Sequence, residues 1–361
     1  MKVSIIGAGN GGITAAADLT DRGFEVSLFG ATGFTDDLSA IEKNGGITLK
    51  DDKGERLMPF SNVTADIERA VAGADVIMLT VPGFAVENIA EQLAPVVTEK
   101  QVILINGAGA MGAGRFVNRA RQLGIDKSFN IAETNSLTYG TQAFPEAARV
   151  EVSLYVKKVF LAAYPSSKTD ELLDVCSQLY DCLVPAESSW HAALENGNPE
   201  VHPGPALLNA GRIDYSEGEF WLYKEGITEH TVKLLKAVED ERMAIGKAFG
   251  YHLEDATESR ANRGYFEDDG RTLKELFNTS EVYSNIKGPV SINSRYFTED
   301  ISSGLVLWSG MAKAAGVATP NIDAIITLGS TLLDEDFYES GLTLDSLGFS
   351  GQSAEELIRS V

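Results

Sequence analysis

Cysteine is almost absent: Cys176 and Cys182 are the only two in 361 residues, too few for a disulfide framework. The pair reads as two reduced, partly buried thiols of a cytoplasmic protein, and no metal site is expected. Long apolar runs are missing too, and no stretch approaches the roughly 18 uncharged apolar residues of a membrane helix. The opening run Val3-Ser4-Ile5-Ile6 breaks into glycine too soon to be the core of a secretory signal. Positive charge is in deficit: 30 Lys and Arg face 52 Asp and Glu, a formal charge of −22. Such a field repels nucleic acid and anionic membrane surfaces, which excludes both as partners. It also repels an anionic cofactor or substrate, so local cations and backbone N–H groups must do the holding.

What is present is ordinary for a globular chain, with 44% hydrophobic and 23% charged residues. The length makes two domains the natural expectation. Residues 2–6 read as a buried strand, Asn10 to Arg22 as a helix and Glu25 to Phe29 as a second strand, which is a βαβ unit. A hairpin insertion is expected between Gly46 and Phe60, turning at Asp51-Asp52-Lys53-Gly54. The alternation then resumes with a strand at Asp75–Val81, a helix at Ala85–Val97 and a strand at Gln101–Asn106. Residues 129–132 and 150–163 supply further strands. From about Ser189 the pattern becomes helical, as in Ile227–Phe249, where apolar residues recur at 3.6 spacing. A docked terminal helix is expected after Ser340.

Gly7-Ala8-Gly9-Asn10-Gly11-Gly12 matches G-x-G-x-x-G, between a strand and a helix, the context that gives this motif its meaning. Gly7 suits a tight turn, Gly9 a close approach of backbone to pyrophosphate, and Gly12 the packing of helix on strand. The helix N-terminus that includes Asn10 and Gly11 offers free N–H groups to phosphate, and Pro82, after the strand ending at Val81, adds a further cofactor contact. The acidic residue expected about 20 positions on, at the ribose 2′-OH, is missing, since the second strand runs out as Leu28-Phe29-Gly30-Ala31-Thr32. Thr32 could donate a hydrogen bond to a 2′-phosphate. The cofactor is therefore NAD(P)H, with a slight lean to NADPH. The fold class is an α/β N-terminal Rossmann domain, doubly wound on a mostly parallel sheet (residues 1–187), plus an all-α C-terminal domain (residues 188–361) that completes the active site.

Two distant segments contain most of the remaining polar chemistry: Glu195-Asn196-Gly197-Asn198-Pro199-Glu200-Val201-His202-Pro203, and Gly288 to Asp300 with Arg295-Tyr296-Phe297-Thr298-Glu299-Asp300. Together with Pro205, Asn209-Ala210, Tyr223-x-Glu225-Gly226, Asp240-Glu241-Arg242 and Thr319-Pro320, they make the chain resemble the opine dehydrogenase family along essentially its whole length. The resemblance implies reductive condensation of a 2-oxo acid, commonly pyruvate, with the amino group of an amino acid. On it, His202 is the catalytic histidine and Asp300 its partner carboxylate, fixing the tautomer and stabilising the imidazolium. Arg295 is the substrate arginine, whose fork can take a carboxylate bidentately. Asn198 and Thr134 are further substrate contacts, with Glu133-Thr134-Asn135-Ser136 lining the nicotinamide end. Gly107 and Gly109 shape the loop beside the cofactor, and His191 serves packing at the domain junction.

One departure stands out. Many family members have Tyr/Phe-x-Cys-Arg where this chain has Tyr139-Gly140-Thr141-Gln142, which removes a charge near the expected cleft. Two other readings compete. Dehydrogenases that reduce 2-oxo acids or phosphate esters place a lysine early in the second domain, but Ser188 to Pro203 holds no lysine or arginine. A non-catalytic NAD(P)-sensing protein would not need His202, Arg295 and Asp300 to converge. A homodimer is the expected assembly by base rate.

Overall fold

The computed structural model describes residues 1–31, 35–60, 62–107 and 110–361, without the side chains of 35–37. Thr32 and Gly109 lie outside the described residues. The chain divides into two compact units, Met1–Ser189 and Trp190–Val361.

The first unit contains twelve strands among its described residues. In chain order they are β1 (Lys2–Ile6), β2 (Glu25–Phe29), β3 (Gly46–Asp51), β4 (Gly54–Pro59), β5 (Val63–Thr64) and β6 (Val76–Leu79). Then come β7 (Val102–Ile105), β8 (Asn130–Thr134), β9 (Tyr139–Phe144), β10 (Arg149–Tyr155), β11 (Val159–Tyr164) and β12 (Leu183–Pro185). Eight of them form the main sheet in the order β12-β11-β8-β7-β6-β1-β2-β5. All neighbours in it run parallel except β8 and β11. Strands β6 and β7 are buried at every residue, Val-Ile-Met-Leu and Val-Ile-Leu-Ile, as expected where helices cover both faces of a sheet. Two apolar layers flank the sheet. One is gathered around Ile13, Leu19 and Leu104, the other around Ile77, Leu93 and Phe116.

Strand β1 lies between β2 and β6, so successive crossovers depart in opposite directions from it. This is the switch point at which doubly wound sheets open a crevice beyond the carboxyl ends of their strands. The Gly7–Gly12 loop leaves the sheet there.

The expected hairpin forms as β3 and β4, in register from Gly46–Pro59 to Asp51–Gly54. It belongs to a second, four-stranded sheet ordered β4-β3-β10-β9. Residues 150–163, read above as one block of strand, divide: β10 enters this small sheet and β11 the main one.

The second unit is helical throughout. Its longest helix, Glu229–Phe249, starts at Thr228, whose hydroxyl accepts from Thr231 N–H, and ends at Gly250 in the left-handed region. The short terminal helix Ala354–Arg359 docks through Leu357, whose carbonyl accepts from the Trp190 indole at 2.8 Å. No helix of the described residues is long and apolar enough to cross a membrane.

Candidate active site

In the first unit the glycine motif has distinct roles at each position. Gly7 sits at φ +121°, a conformation closed to other residues, and a Cβ there would lie 2.8 Å from the Thr80 carbonyl oxygen. A Cβ on Gly12 would lie 1.6 Å from the Gly7 oxygen, so the helix Asn10–Asp21 can approach β1 this closely only with glycine. A Cβ on Gly9 would meet nothing within 4 Å. The turn therefore leaves open space beside its backbone, next to a helix end with no side-chain cap. That combination fits the pyrophosphate of a dinucleotide. Asn10 uses its side-chain oxygen to accept from the Ala143 N–H at 3.0 Å, which ties the helix start to β9. Pro82 directly precedes the single helical turn Gly83–Ala85 at the mouth of β6. Gly30, where the missing acid would stand, is buried, and a Cβ there would be 3.1 Å from Leu38 and 3.2 Å from Ala8. The neighbouring Ala31 is exposed.

Thr134, expected as a substrate contact, closes strand β8. It is fully buried, and its hydroxyl accepts from Gly107 N–H at 2.8 Å and donates to the Ser136 carbonyl at 2.8 Å. These two bonds brace the loop after β7. Its neighbours also turn inward: Asn135 accepts from Phe160 N–H, and Glu133 accepts from Gly112 N–H at 2.7 Å. Burial pushes the Glu133 carboxyl up to about 7, against the Ser189 hydroxyl and the Gly112 and Ala113 N–H groups, which hold it down. Gln142 is exposed on β9.

The second unit builds its site around His202, which joins two short helices, Asn198–Val201 and Pro203–Leu208. Pro203 takes the first helical position, where its missing N–H costs nothing. His202 is 8% exposed and is held on three sides. Its Nδ1 lies 2.7 Å from Asp300 Oδ2, its Nε2 lies 2.7 Å from the Tyr223 hydroxyl, and the Tyr296 ring stacks on its face at 4.0 Å and 9°. Asp300 opens a π-helical turn, Asp300–Leu305, and Tyr223 sits in another, Leu222–Gly226. Such wide turns recur at functional sites, because each re-aims a side chain. Gly304 seats the first turn: a Cβ there would be 2.2 Å from the Pro199 ring, so glycine is what lets Asp300 approach the histidine's segment.

Behind this segment lies a buried ionic scaffold. Glu200, 1% exposed, takes Arg242 Nε at 2.8 Å and Arg260 at 3.0 Å. The same arginines reach the Leu194 and Gly197 carbonyls, which fixes the backbone leading into His202. His191 is buried and stacked on Tyr251 at 5.1 Å.

Arg295 begins the helix Arg295–Thr298, with its side chain exposed and paired to Glu299. Asp300 and Tyr296 are within its electrostatic reach. Asn198 is exposed, and its backbone N–H is held by the Asn196 side chain at 3.1 Å. The structure thus brings His202 and Asp300 into contact, keeps Arg295 on the same short segment as Tyr296, and adds Tyr223 and Tyr296, to which the sequence had given no role. Both stand in segments quoted for the resemblance, but their contact with His202, from 21 and 94 residues away, appears only with the fold.

A family model for the ketopantoate reductase PanE/ApbA matches residues 3–117. Another, for the α-helical domain of NAD/NADP octopine/nopaline dehydrogenase, matches residues 185–333. An opine dehydrogenase of Arthrobacter sp. (strain 1C) is 34% identical over 357 residues, covering 97% of this chain and 96% of the relative. Octopine dehydrogenase of Mizuhopecten yessoensis is 30% identical, covering 91% and 88%. Among solved structures, octopine dehydrogenase with NADH and L-arginine superposes at a TM-score of 0.78 with 22% identity, over 100% of this chain and 98% of that one. Yersinopine dehydrogenase with NADP+ gives 0.70 at 16% identity, over 99% and 97%. At those identities the structures speak for the fold. With a relative above 30% identity aligned across nearly its full length, the chain belongs to the opine dehydrogenase family, NAD(P)-dependent oxidoreductases of CH–NH groups that reductively condense a 2-oxo acid with the amino group of an amino acid.

Proposed function

We propose that the 2-oxo acid is pyruvate, that NADPH serves at least as well as NADH, and that His202 is the proton-exchanging group. The observation that carries this is the 2.7 Å contact of His202 with Asp300 inside a nearly closed aromatic setting. A dinucleotide held by its pyrophosphate at Gly7–Gly12 would supply hydride to the imine carbon when bound. The chain's own residues do the rest. Gly9 leaves room for the pyrophosphate, and the helix end at Asn10–Gly12 offers N–H groups to it. Asp300 holds the His202 Nδ1 proton and stabilises the imidazolium when the ring takes up a second one. The ring can then draw a proton from the incoming ammonium and return it to the carbinolamine oxygen, which leaves as water. Arg295 takes the carboxylate of the 2-oxo acid by its planar fork, in exchange for its contact with Glu299. Asn198, exposed four residues before His202, is a secondary contact to the amino substrate. Thr134 acts at one remove, by holding Gly107.

Free thiols at Cys176 and Cys182, pushed up by burial to about 12 and about 11, suit a reducing cytoplasm. The homodimer belongs to the same proposal, with light scattering as its check.

The test is NADPH and NADH oxidation with pyruvate and a panel of amino acids. Oxidation that requires both pyruvate and one class of amino acid supports the reading. Oxidation with the 2-oxo acid alone points to a simple 2-oxo acid reductase, and tight cofactor binding with no turnover points to a sensor.

A further inference from the structure

We propose that Tyr223 is a catalytic residue: its hydroxyl relays the proton between the substrate and His202. The proposal rests on the assignment of His202 as the acid–base group. Both ring nitrogens are already engaged, Nδ1 by Asp300 and Nε2 by Tyr223, each at 2.7 Å, and Tyr296 covers a ring face at 4.0 Å. With Asp300 holding the Nδ1 proton, Nε2 is the nitrogen that must exchange one. Burial keeps the Tyr223 phenol well above its ordinary ionisation, so it stays protonated and donates to the Nε2 lone pair. No lone pair of the ring then remains for a substrate. A proton leaving the substrate reaches the ring either by expelling Tyr223 or by passing through it.

Expulsion is opposed by the packing. Tyr223 is 4% exposed, its ring stacks on Tyr283 at 4.3 Å, and its carbonyl accepts from Asn278 at 2.7 Å. That carbonyl lies in a turn which Asn278 also ties at Ile227, at 3.0 Å. Passage through the hydroxyl leaves the packed Tyr223 ring in place, and only the Tyr296 hydroxyl beside it gives way to the substrate.

The step balances without a co-reactant. An N–H bond of the substrate ammonium breaks as its proton joins the Tyr223 oxygen, while the original O–H bond breaks and that proton joins Nε2. The hydroxyl is neutral before and after, and the positive charge passes from the substrate nitrogen to the imidazolium beside Asp300. The free amine adds to the carbonyl, and one of its N–H protons passes to the former carbonyl oxygen, which gives a neutral carbinolamine. The reverse shuttle returns the proton to the carbinolamine oxygen, which departs as water with the C–O electron pair. Because both transfers are concerted, no tyrosinate forms.

The experiment compares the full-length wild type with Tyr223→Phe, using pyruvate and the amino acid that turns over fastest in the panel. The expected result is a fall in kcat of at least ~10²-fold, the low end for loss of a proton-transfer group. Cofactor Kd and melting temperature should be unchanged. In H2O/D2O mixtures the wild-type rate should follow a bowed curve, from two protons in flight, and the variant a straight line. A variant that keeps more than about a third of kcat, or loses rate with the bowed curve intact, overturns the relay. If the variant does not fold, a straight wild-type plot overturns it and a bowed one supports it. His202→Ala separates the two levels. Full activity in that variant removes the His202 assignment and the relay together, whereas an inactive His202→Ala beside an active Tyr223→Phe removes the relay alone.

Discussion

Asp300 and His202 stand 98 residues apart in sequence and 2.7 Å apart in space, carboxylate oxygen to Nδ1. A pair this close should act as a unit, so losses from removing its members should not add. His202→Ala is expected to lower kcat by ~10²–10⁴-fold, and Asp300→Asn by less, since the amide still meets Nδ1. The double variant should fall little below His202→Ala. Steady-state kinetics of the three variants decide, and strictly additive losses would separate the two residues.

Arg295→Lys keeps a cation and loses the planar fork. The expected effect is a rise of about tenfold or more in KM for the 2-oxo acid, equal to ~1.4 kcal/mol, with kcat changed far less. Since Glu299 already holds the guanidinium, Glu299→Gln should lower the same KM by freeing it. A kcat effect without a KM effect would move Arg295 from binding to chemistry.

For the cofactor, the lack of an acid after β2 predicts that NADPH is used at least as well as NADH. Introducing the acid at Gly30 would require Leu38 and Ala8, 3.1 and 3.2 Å from where a Cβ would stand, to yield by a few tenths of an ångström. Ala31→Asp, at an exposed position, disturbs less and should lower the NADPH-to-NADH ratio of kcat/KM by about tenfold. A wild type that accepts NADH alone contradicts the premise.

Stability should carry the mark of Glu133. Its carboxyl titrates near 4.5 when unfolded and at about 7 when buried, so between those values the folded chain holds a proton that the unfolded chain has released. The stabilisation is complete below pH 4.5 and is lost as the pH climbs through 7, a span of ~3 kcal/mol at 1.36 kcal/mol per unit. Glu133→Gln, whose amide oxygen still accepts from Gly112, should remove that slope from denaturation curves taken between pH 4.5 and 7.5. An unchanged slope would place its origin elsewhere.

Much of the first unit could be read from the sequence because parallel strands buried on both faces are unbroken apolar runs, as in Val76–Leu79. The split between β10 and β11 could not be. Tyr155-Val156-Lys157-Lys158 carries no glycine or proline to mark the passage from one sheet to the other. In the site, His202, Asp300 and Arg295 came from resemblance to a family, and their distances came only with the fold. The sequence could not show that the Thr134 hydroxyl is used twice inside the protein, since its partners Gly107 and Ser136 are met only in the folded loop. Glu200 looks like a surface charge until Arg242 and Arg260 are found around it, 42 and 60 residues away.

A π-helical turn is an α-helical turn carrying one extra residue. Shortening Asp300–Leu305 by a single residue would restore ordinary winding and swing Asp300 by about 100° about the axis, away from His202. The carboxylate's reach to the ring therefore hangs on one codon's worth of chain, and a reading-frame-preserving deletion there would leave a folded helix with its acid facing elsewhere.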